Sequence, residues 1–238
     1  MGVAPGEIHV WSIPAAIPSE PATRLQALLS DDERARAARF KFERDRCRFI
    51  AARAALRILL GRYLHIPGEE ISFEYGPKGK PYLRSTENPE RLQFNVSHSG
   101  ELALMAFCAG EELGVDLELV REMDDAADIA RRFFCPSEVD RWMSLPEELR
   151  LRGFFNCWTR KEAYVKAVGG GLSIPLDGFE VSFRPGDPPA ILLPGSEHWS
   201  LFDVSPTPGY AAALAIRGSG WTVDSKKLEH PHRFRGLS

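Results

Sequence analysis

The feature that most constrains the fold of this chain is a pattern that occurs twice. The stretch FNVSHSGELALMAF, residues 94–107, predicts a strand, a polar turn and a second apolar strand. The stretch FDVSPTPGYAAALAI, residues 202–216, repeats this order, and Phe94 aligns with Phe202 at an offset of 108 residues. Only the first copy carries a histidine, His98, in its turn.

A second pair of similar segments lies at nearly the same offset. The stretch FIAARAALRILLG, residues 49–61, aligns with WTRKEAYVKAVGG, residues 158–170, at an offset of 109 residues. Both segments have helical character, with apolar residues at the spacing of one helix face in the first. A single match between amphipathic helices is expected by chance. Two matches in register indicate a tandem duplication of an α+β unit.

The duplication predicts the fold class and the domain organisation. We expect an α+β fold of two similar α/β halves with pseudo-twofold symmetry, at residues 1–111 and 112–218, followed by an irregular tail at 219–238. Each half is predicted to contain a strand, a short helix, a long helix and a hairpin. Ser30 and Glu33 have capping-box spacing at the first short helix, and a long helix is expected from about Glu43 to Tyr63. Function is expected in the groove between the halves, where the two copies can diverge.

Composition narrows the functional classes. The 238 residues carry a net charge of −3, which does not favour binding to nucleic acid or to a membrane. The segment 31–62 nevertheless holds nine Arg and one Lys against five acidic residues, which predicts an anion-facing surface. The four cysteines, Cys47, Cys108, Cys135 and Cys157, form no metal-binding motif and are predicted to be free, mostly buried thiols. We see neither a signal peptide nor an apolar run of about 18 residues, and therefore expect a cytoplasmic protein.

Two segments place charged side chains together at regular spacing. In ELGVDLELV, Asp116 and Glu118 lie on one face of a predicted strand, within reach of a single hard cation. In WTRKEAYVKAVGGGL, Glu162 and Lys166 lie on one face of a predicted helix that ends at the triple glycine 169–171. Taken singly, the first motif suits a solvated strand face better than a cation site, and the second also suits a surface ion pair.

Two further segments suit phosphate binding. NVSHSG offers hydroxyls, an imidazole and backbone N–H groups in one turn, and EYGPKGKPYL is a tight basic loop with Gly76, Gly79, Lys80 and Pro81. Alone, an exposed histidine and an ordinary glycine-rich loop explain them as well. Together the four segments occur in the order GKP, N-x-SHSG, G-x-D-x-E and W-x-x-KE-x-x-x-K.

This ordered set strongly resembles the Sfp-type 4′-phosphopantetheinyl transferases, over about residues 30–180. The length and the duplication resemble the two-domain, pseudo-dimeric subgroup of that family. The resemblance implies transfer of the 4′-phosphopantetheine group from coenzyme A to a serine of an apo acyl or peptidyl carrier protein, with release of adenosine 3′,5′-bisphosphate. Because the duplication supplies both sides of the groove within one chain, we also expect a monomer, and the net charge predicts no nucleic-acid or membrane partner.

The resemblance implies roles for individual residues. Asp116, Glu118 and Glu162 would hold Mg²⁺, or Mn²⁺, against the pyrophosphate of coenzyme A. Glu162 is also the candidate base for the carrier serine, and Lys166 would stabilise the departing bisphosphate, so that Asp116, Glu162 and Lys166 form the catalytic set. Coenzyme A would be bound by Arg36, Arg48, Lys80, Ser97, His98, Lys161 and Lys166. Within this set Ser97, His98 and Arg48 would meet phosphate groups, and Lys80 would line the adenosine end. Arg36 is expected to serve where many relatives carry lysines.

Two alternatives stay open at this point. A metal-dependent phosphohydrolase or nuclease would use the same acids, but it leaves the SHSG and GKP segments unexplained. A non-enzymatic regulator that binds coenzyme A or a nucleotide would keep the basic features, but it needs no set of three carboxylates. We favour the enzyme. The sequence leaves open whether its carrier belongs to fatty-acid, polyketide or nonribosomal-peptide synthesis.

Overall fold

The structure, a computed structural model, describes residues 1–76, 79–84, 86, 88–171, 174–192 and 198–228. Its helices are α1 (Ser19–Leu25), α2 (Asp31–Ala38), α3 (Glu43–Leu64), α4 (Ala126–Phe133), α5 (Pro136–Met143) and α6 (Glu147–Val168). Its strands are β1 (Glu7–Pro14), β2 (Phe73–Tyr75), β3 (Pro81–Leu83), β4 (Leu92–Ser99), β5 (Leu102–Ala109), β6 (Leu113–Leu119), β7 (Glu180–Val181), β8 (Ile191–Leu192), β9 (Trp199–Asp203), β10 (Tyr210–Arg217) and β11 (Thr222–Lys227). This mixture of helices and mainly antiparallel sheets is the α+β fold that the sequence predicted.

Two sheets with the same internal order form the centre of the molecule. The first sheet has the order β11-β1-β5-β4, and the second sheet has the order β6-β10-β9. The antiparallel triplets β1-β5-β4 and β6-β10-β9 correspond strand by strand. The long helices α3 and α6 each have 22 residues, and each ends in a left-handed residue, His65 and Gly169 respectively. The second half of the chain therefore repeats the topology of the first.

Three apolar layers of the described core lie against the two sheets. One apolar layer lies between α3 and the first sheet, with Leu59 and Phe107 among its buried residues. A second layer joins the facing surfaces of the two sheets and includes Val10 and Leu214. A third lies between the second sheet and α6 and contains Phe154. Each sheet is thus covered on both faces, so both halves bury a continuous apolar core.

The predicted helix signals are observed. Ser30 and Glu33 form the expected capping box at the start of α2. The helix α3 begins at Glu43 and ends at Leu64, one residue beyond the predicted end. The helix α6 ends where Gly169 adopts φ 74°, a conformation that glycine tolerates without steric cost.

The expectation of an irregular tail at residues 219–238 is wrong for its first part. Residues Thr222–Lys227 form β11, which pairs in parallel with β1, and Leu228 is buried against the core of the first sheet. The polar sequence TVDSKK hid this strand, because a strand at a sheet edge is half solvated and needs no apolar pattern. The remaining tail, 229–238, lies outside the described residues.

The expected state of the cysteines is confirmed. Cys47, Cys108, Cys135 and Cys157 are all free and buried, and burial raises the pKa of each thiol. A buried thiol with a raised pKa is a poor nucleophile. Among the residues described, no helix has both the length and the apolar character needed to cross a bilayer.

Candidate active site

The edge strands β4 and β6 meet at the junction of the two sheets, where side chains take the place of a backbone ladder. Three side-chain oxygens of β4 accept hydrogen bonds from backbone N–H groups of β6: Asn95 Oδ1 from Val115 at 2.9 Å, Ser97 Oγ from Leu117 at 3.2 Å, and Ser99 Oγ from Leu119 at 3.0 Å. Buried N–H groups at an open sheet edge would otherwise lack acceptors. The two halves are therefore joined at the same place where the predicted acids lie.

The helix α6 packs unusually closely on β6. A Cβ added at Gly114 would lie 2.1 Å from the carbonyl oxygen of Ala163 and 2.3 Å from the backbone nitrogen of Ala167. Only a residue without a side chain allows this approach. It brings Glu162 and Lys166 of the helix to the face of the strand that carries Asp116.

Asp116 and Lys166 form the closest polar contact of the site. Lys166 Nζ lies 2.6 Å from Asp116 Oδ1, and Ser97 donates a hydrogen bond to the same oxygen at 3.0 Å. The other oxygen, Oδ2, is buried, and within the described parts of the chain nothing donates a hydrogen bond to it. A buried carboxylate oxygen that lacks a donor is costly unless something positive binds it.

Glu118 and Glu162 complete a group of three carboxylates. Glu118 lies two residues after Asp116 on β6, and its Oε2 accepts a hydrogen bond from Ser99 at 2.7 Å. Burial raises the pKa of Glu162, and the nearby charges of Asp116 and Glu118 raise it further. Burial likewise raises the pKa of Glu118, to which Asp116 also contributes. The acids thus lie close enough to repel one another.

These residues suit a divalent cation on two grounds. The charges of Asp116 and Glu118 reach Glu162, and Asp116 presents a buried oxygen without a hydrogen-bond donor among the described residues. Hard oxygen ligands of this kind are those that Mg²⁺ and Mn²⁺ prefer. The single ammonium group of Lys166 balances only part of their charge. The acids implied by the sequence are therefore the residues here that could hold a cation.

A basic cavity opens on the other side of β4. It has a volume of about 390 Å³, and Arg36, Arg48, His98 and Ser99 are among its lining residues. His98 is the last residue but one of β4 rather than a turn residue. The side chain of His98 is exposed at the cavity, yet partial desolvation lowers its pKa, and the positive charges of Lys166, Arg36 and Arg48 lower it further. The structure thus brings together three of the residues predicted to bind phosphate.

The arginines of this cavity are held by packing from α2 and α3. Arg36 lies over the ring of Phe49, with its guanidinium carbon 5.3 Å from the ring centroid. The start of α2 is tied to α3 because Glu33 Oε2 accepts a hydrogen bond from Arg57 Nε at 2.6 Å inside the core. Arg48 Nη1 lies 3.8 Å from Asp45, whereas its buried Nε has no hydrogen-bond partner among the described residues. The cavity is therefore lined by cations that are only partly neutralised.

Lys80, which the resemblance places at the adenosine end of the coenzyme A site, lies beside the carboxyl end of α6. Its Nζ donates a hydrogen bond to the carbonyl oxygen of Lys166 at 3.1 Å and lies 3.8 Å from Glu112 Oε2. This places its charge at the carboxyl end of α6, where a cation is favourable. Lys80 and Gly79 line a cavity of about 280 Å³ next to Lys166. The loop thus borders a cavity, but the ammonium group of Lys80 is not part of the basic cluster around His98.

The prediction that Lys161 contacts coenzyme A is wrong. Lys161 is fully buried in the core of the C-terminal half, where its Nζ lies 2.7 Å from Glu138 Oε2. It also donates to the carbonyl oxygens of Leu176, at 2.7 Å, and of Phe179. Successive residues of a helix point about 100° apart, so Lys161 faces the core while Glu162 faces the cleft. The sequence does not distinguish these two directions.

Ser97 has a different environment from the one expected. Its hydroxyl donates to Asp116 and accepts hydrogen bonds from the backbone of Leu117 and from Lys166. A hydroxyl has one proton and two lone pairs, so all three capacities are used within the protein. Sequence reasoning missed Asn95 and Ser99, whose signal is the polar alternation N-x-S-x-S along one strand face.

A separate group of ligand-type side chains is internally paired. Glu7, His9 and Asp224 lie close together on β1 and β11. His9 contacts the Tyr63 hydroxyl through Nδ1 at 2.7 Å and Glu7 through Nε2 at 3.3 Å, while Asp224 pairs with Lys226. Each member already has a partner, so this group is assigned no ligand.

Comparison with known families matches nearly the whole chain. A model described as "4′-phosphopantetheinyl transferase superfamily" matches residues 112–215, and one described as "4′-phosphopantetheinyl transferase, N-terminal" matches residues 17–110. The two matched ranges meet between β5 and β6, at residues 110–112. They cover the acids and the basic cavity respectively.

Similar proteins carry the same description. The chain is 41% identical over 215 residues to 4′-phosphopantetheinyl transferase HetI of Nostoc sp., which covers 90% of each chain. It is 28% identical to 4′-phosphopantetheinyl transferase Sfp of Bacillus subtilis, over 80% of this chain and 83% of that protein. Among solved structures, Thermotoga maritima holo-[acyl-carrier-protein] synthase matches 45% of this chain and 63% of its own, at 19% identity and a TM-score of 0.36. On the strength of the family models and of HetI, the chain belongs to the 4′-phosphopantetheinyl transferase superfamily.

Proposed function

We propose that this protein transfers the 4′-phosphopantetheine group of coenzyme A to a serine of an apo carrier protein. The observation that carries the proposal is the pair of Asp116 and Lys166 at the junction of the halves, within electrostatic reach of Glu162, next to a cavity lined by basic side chains. Acids that hold a cation and a separate set of phosphate-binding cations are both needed to bind a pyrophosphate with a further phosphate group. The products are the holo carrier protein and adenosine 3′,5′-bisphosphate.

The residues divide the reaction between them. We propose that Asp116, Glu118 and Glu162 hold a divalent cation, Mg²⁺ or Mn²⁺, which when bound neutralises charge on the pyrophosphate. Lys166 holds its ammonium group 2.6 Å from Asp116 and is placed to stabilise the leaving bisphosphate. Glu162, whose pKa is raised by burial and by its acidic neighbours, is the candidate acceptor for the serine proton.

The basic cavity supplies the second part of the coenzyme A site. We propose that Arg36, Arg48 and His98 bind the 3′-phosphate, because they are the cations that line this cavity together. A phosphate dianion gains charge-assisted hydrogen bonds from partly unpaired guanidinium groups such as that of Arg48. The GKP loop, through Gly79 and Pro81, is proposed to line the adenosine end.

The organisation of the chain supports further proposals. The two halves, residues 1–111 and 112–218, together supply the site, so a single chain is proposed to act as a monomer. We further propose that it acts in the cytoplasm, with neither nucleic acid nor a membrane as partner. Activity per molecule should then stay constant on dilution while sedimentation shows one species of 26.6 kDa. Neither the phosphohydrolase or nuclease alternative nor the non-enzymatic regulator is supported by the family that the chain belongs to.

The deciding experiment uses the full chain with coenzyme A, Mg²⁺ and a panel of apo acyl and peptidyl carrier proteins. Intact-mass measurement should show each accepted carrier gaining one phosphopantetheine group, and the bisphosphate should appear in equal amount. A matched reaction with a carrier whose acceptor serine is replaced by alanine should show no gain. If no carrier of any type gains mass, the proposed function is wrong.

A further inference from the structure

The junction of β4 and β6 repeats one unit three times. In each unit a polar side chain of β4 accepts a hydrogen bond from the backbone N–H of one residue of β6. The same side chain lies beside the preceding residue of β6. The three units are Asn95 with Gly114 and Val115, Ser97 with Asp116 and Leu117, and Ser99 with Glu118 and Leu119. The repeat follows from the two-residue period of both strands.

The units differ in what the polar side chain does with its proton. The hydroxyl of Ser99 accepts from the N–H of Leu119 at 3.0 Å and donates to Glu118 Oε2 at 2.7 Å. Asn95 accepts from Val115 at 2.9 Å, but the residue beside it is Gly114, which has no carboxylate. The Asn95 unit therefore joins only the two strands, whereas the Ser99 unit joins the two strands and also orients the carboxylate of Glu118.

The donation restricts how Glu118 presents its oxygens. Its Oε2 is taken by Ser99, and within the described ranges no other hydrogen bond to Glu118 is formed, so Oε1 is left for a ligand. Asp116 shows the same division, since Oδ1 is taken by Ser97 and Lys166 while Oδ2 has no donor. Two acids on one strand thus each keep one oxygen for a cation.

We propose that Ser99 is a positioning residue for the metal ligand Glu118. The hydroxyl oxygen of Ser99 accepts a hydrogen bond from the backbone N–H of Leu119, which fixes its position. The hydroxyl then donates to Glu118 Oε2, so that Oε1 is the oxygen left for the cation. This inference rests on the proposed function, because it assumes that Glu118 binds the cation. It adds a residue that acts on the cation through Glu118, although its position also borders the basic cavity.

The test measures cation binding without turnover. Mn²⁺ alone is titrated into the full chain, and free Mn²⁺ is followed by electron paramagnetic resonance, with no coenzyme A or carrier present. Ser99→Ala should weaken Mn²⁺ binding about 10-fold or more, the range expected when a partner that orients a ligand is removed. Ser99→Thr keeps a hydroxyl and should restore affinity to within about threefold of wild type on the same grounds.

Asn95→Ala is the matched control, since it also leaves one buried N–H of β6 without its acceptor. Both alanine variants should lower the urea midpoint, but only Ser99→Ala should weaken Mn²⁺ binding. If Ser99→Ala does not fold, Ser99→Cys keeps the volume with a weaker donor and should give a smaller loss of affinity in the same direction.

The outcomes separate the inference from the function beneath it. Mn²⁺ affinity that is unchanged in Ser99→Ala, or weakened equally in Asn95→Ala, overturns the positioning role while carrier modification by wild type continues. Wild type that modifies carriers but binds no Mn²⁺ in the absence of coenzyme A also overturns it. Failure of wild type to modify any carrier, in contrast, refutes the proposed function itself.

Discussion

The ammonium group of Lys166 lies 2.6 Å from Oδ1 of Asp116, although the two residues belong to different elements and are 50 positions apart. Lys166 comes from the last turn of α6, and Asp116 from the middle of β6. The contact exists because Gly114 lets the helix approach the strand. It pairs one oxygen of the carboxylate with an ammonium group, while the other oxygen is buried without a hydrogen-bond donor among the described residues.

Asp116 should be indispensable for transfer. Asp116→Asn keeps the size of the side chain but removes its charge, so the pyrophosphate site loses a ligand. We expect kcat/KM for coenzyme A at saturating carrier to fall at least about 100-fold, which corresponds to about 2.7 kcal/mol. Asp203→Asn is the matched control. In the sheet, Ala213 of β10 lies between Asp116 on β6 and Asp203 on β9, so the two aspartates occupy equivalent register positions on opposite sides of β10. Near-normal activity of Asp116→Asn would contradict the proposed cation site.

The basic cavity should select donors that carry the 3′-phosphate. A charge-assisted hydrogen bond is worth about 1.5–3 kcal/mol, or roughly 10- to 150-fold in affinity. His98→Ala and Arg48→Ala should therefore lower kcat/KM for coenzyme A by such factors and should matter little for 3′-dephospho-coenzyme A. The mutation and the missing phosphate should be coupled in a double-mutant-type cycle. Arg34→Ala serves as the control, because Arg34 is on α2 but pairs with Asp31. Equal losses with both donors would show that the cavity binds another part of the substrate.

Coenzyme A binding should be coupled to proton uptake by His98. In the free protein, partial desolvation and the surrounding cations lower the pKa of His98 below its ordinary value of 6.5. A bound phosphate dianion favours the imidazolium, so wild type should gain affinity relative to His98→Gln as the pH falls from about 7.5 to 6. Calorimetry in two buffers of different ionisation enthalpy measures the protons taken up.

The same shift predicts the pH dependence of folding. Because the folded-state pKa of His98 is lower than its unfolded value, the unfolded chain binds more protons at low pH. The contribution of His98 to the free energy of unfolding is therefore lost as the pH falls below 6.5.

The binding prediction has its own control. Proton uptake on coenzyme A binding that is identical in wild type and His98→Gln would exclude His98 as the coupled group.

Gly114→Ala should be strongly disruptive. The new Cβ would lie 2.1 Å from the backbone of Ala163, so α6 must move away from β6. Overpacking of this kind costs about 1–3 kcal/mol, and it should also separate Lys166 from Asp116 and lower kcat. Gly209→Ala, where a Cβ meets nothing within 4 Å, is the matched control and should change neither quantity. Urea unfolding and steady-state kinetics give the two readouts. A fully active Gly114→Ala protein would mean that the helix position does not govern the site.

Removal of Lys161 should affect stability rather than donor binding. Lys161→Met leaves Glu138 as a buried carboxylate without its cation, which typically costs about 3–5 kcal/mol. Replacing both, as Lys161→Met with Glu138→Leu, should recover only part of that loss: it removes two buried charges, but the N–H groups of Cys135 and Val181 lose their acceptor. Urea unfolding measures both variants, and the KM for coenzyme A should not change in either folded variant. A large increase in KM with unchanged stability would restore Lys161 as a substrate contact.

The sequence alone was sufficient for the fold class and for much of its organisation. The duplicated pattern, the capping box at Ser30 and the glycine stop at Gly169 are local or periodic signals, and the structure contains the corresponding elements. The strand β11 was not foreseen, since a solvated edge strand is defined by its partner β1 and not by its own side chains.

For the site, the sequence by itself determined which residue types were present and in what order along the chain. Asp116, Glu118, Glu162 and Lys166 could be named because strand and helix periods place neighbours on one face and because the ordered motifs resemble those of a known family. The direction of each side chain in space was decided only by tertiary packing. Lys161 precedes Glu162 directly, yet it is buried against Glu138. The reason is that the rotation of α6 about its own axis is set by its contacts with β6 and the core. The hydroxyls of Ser97 and Ser99 are likewise directed to acids, because the edge of β6 needs acceptors that only the other half of the chain provides.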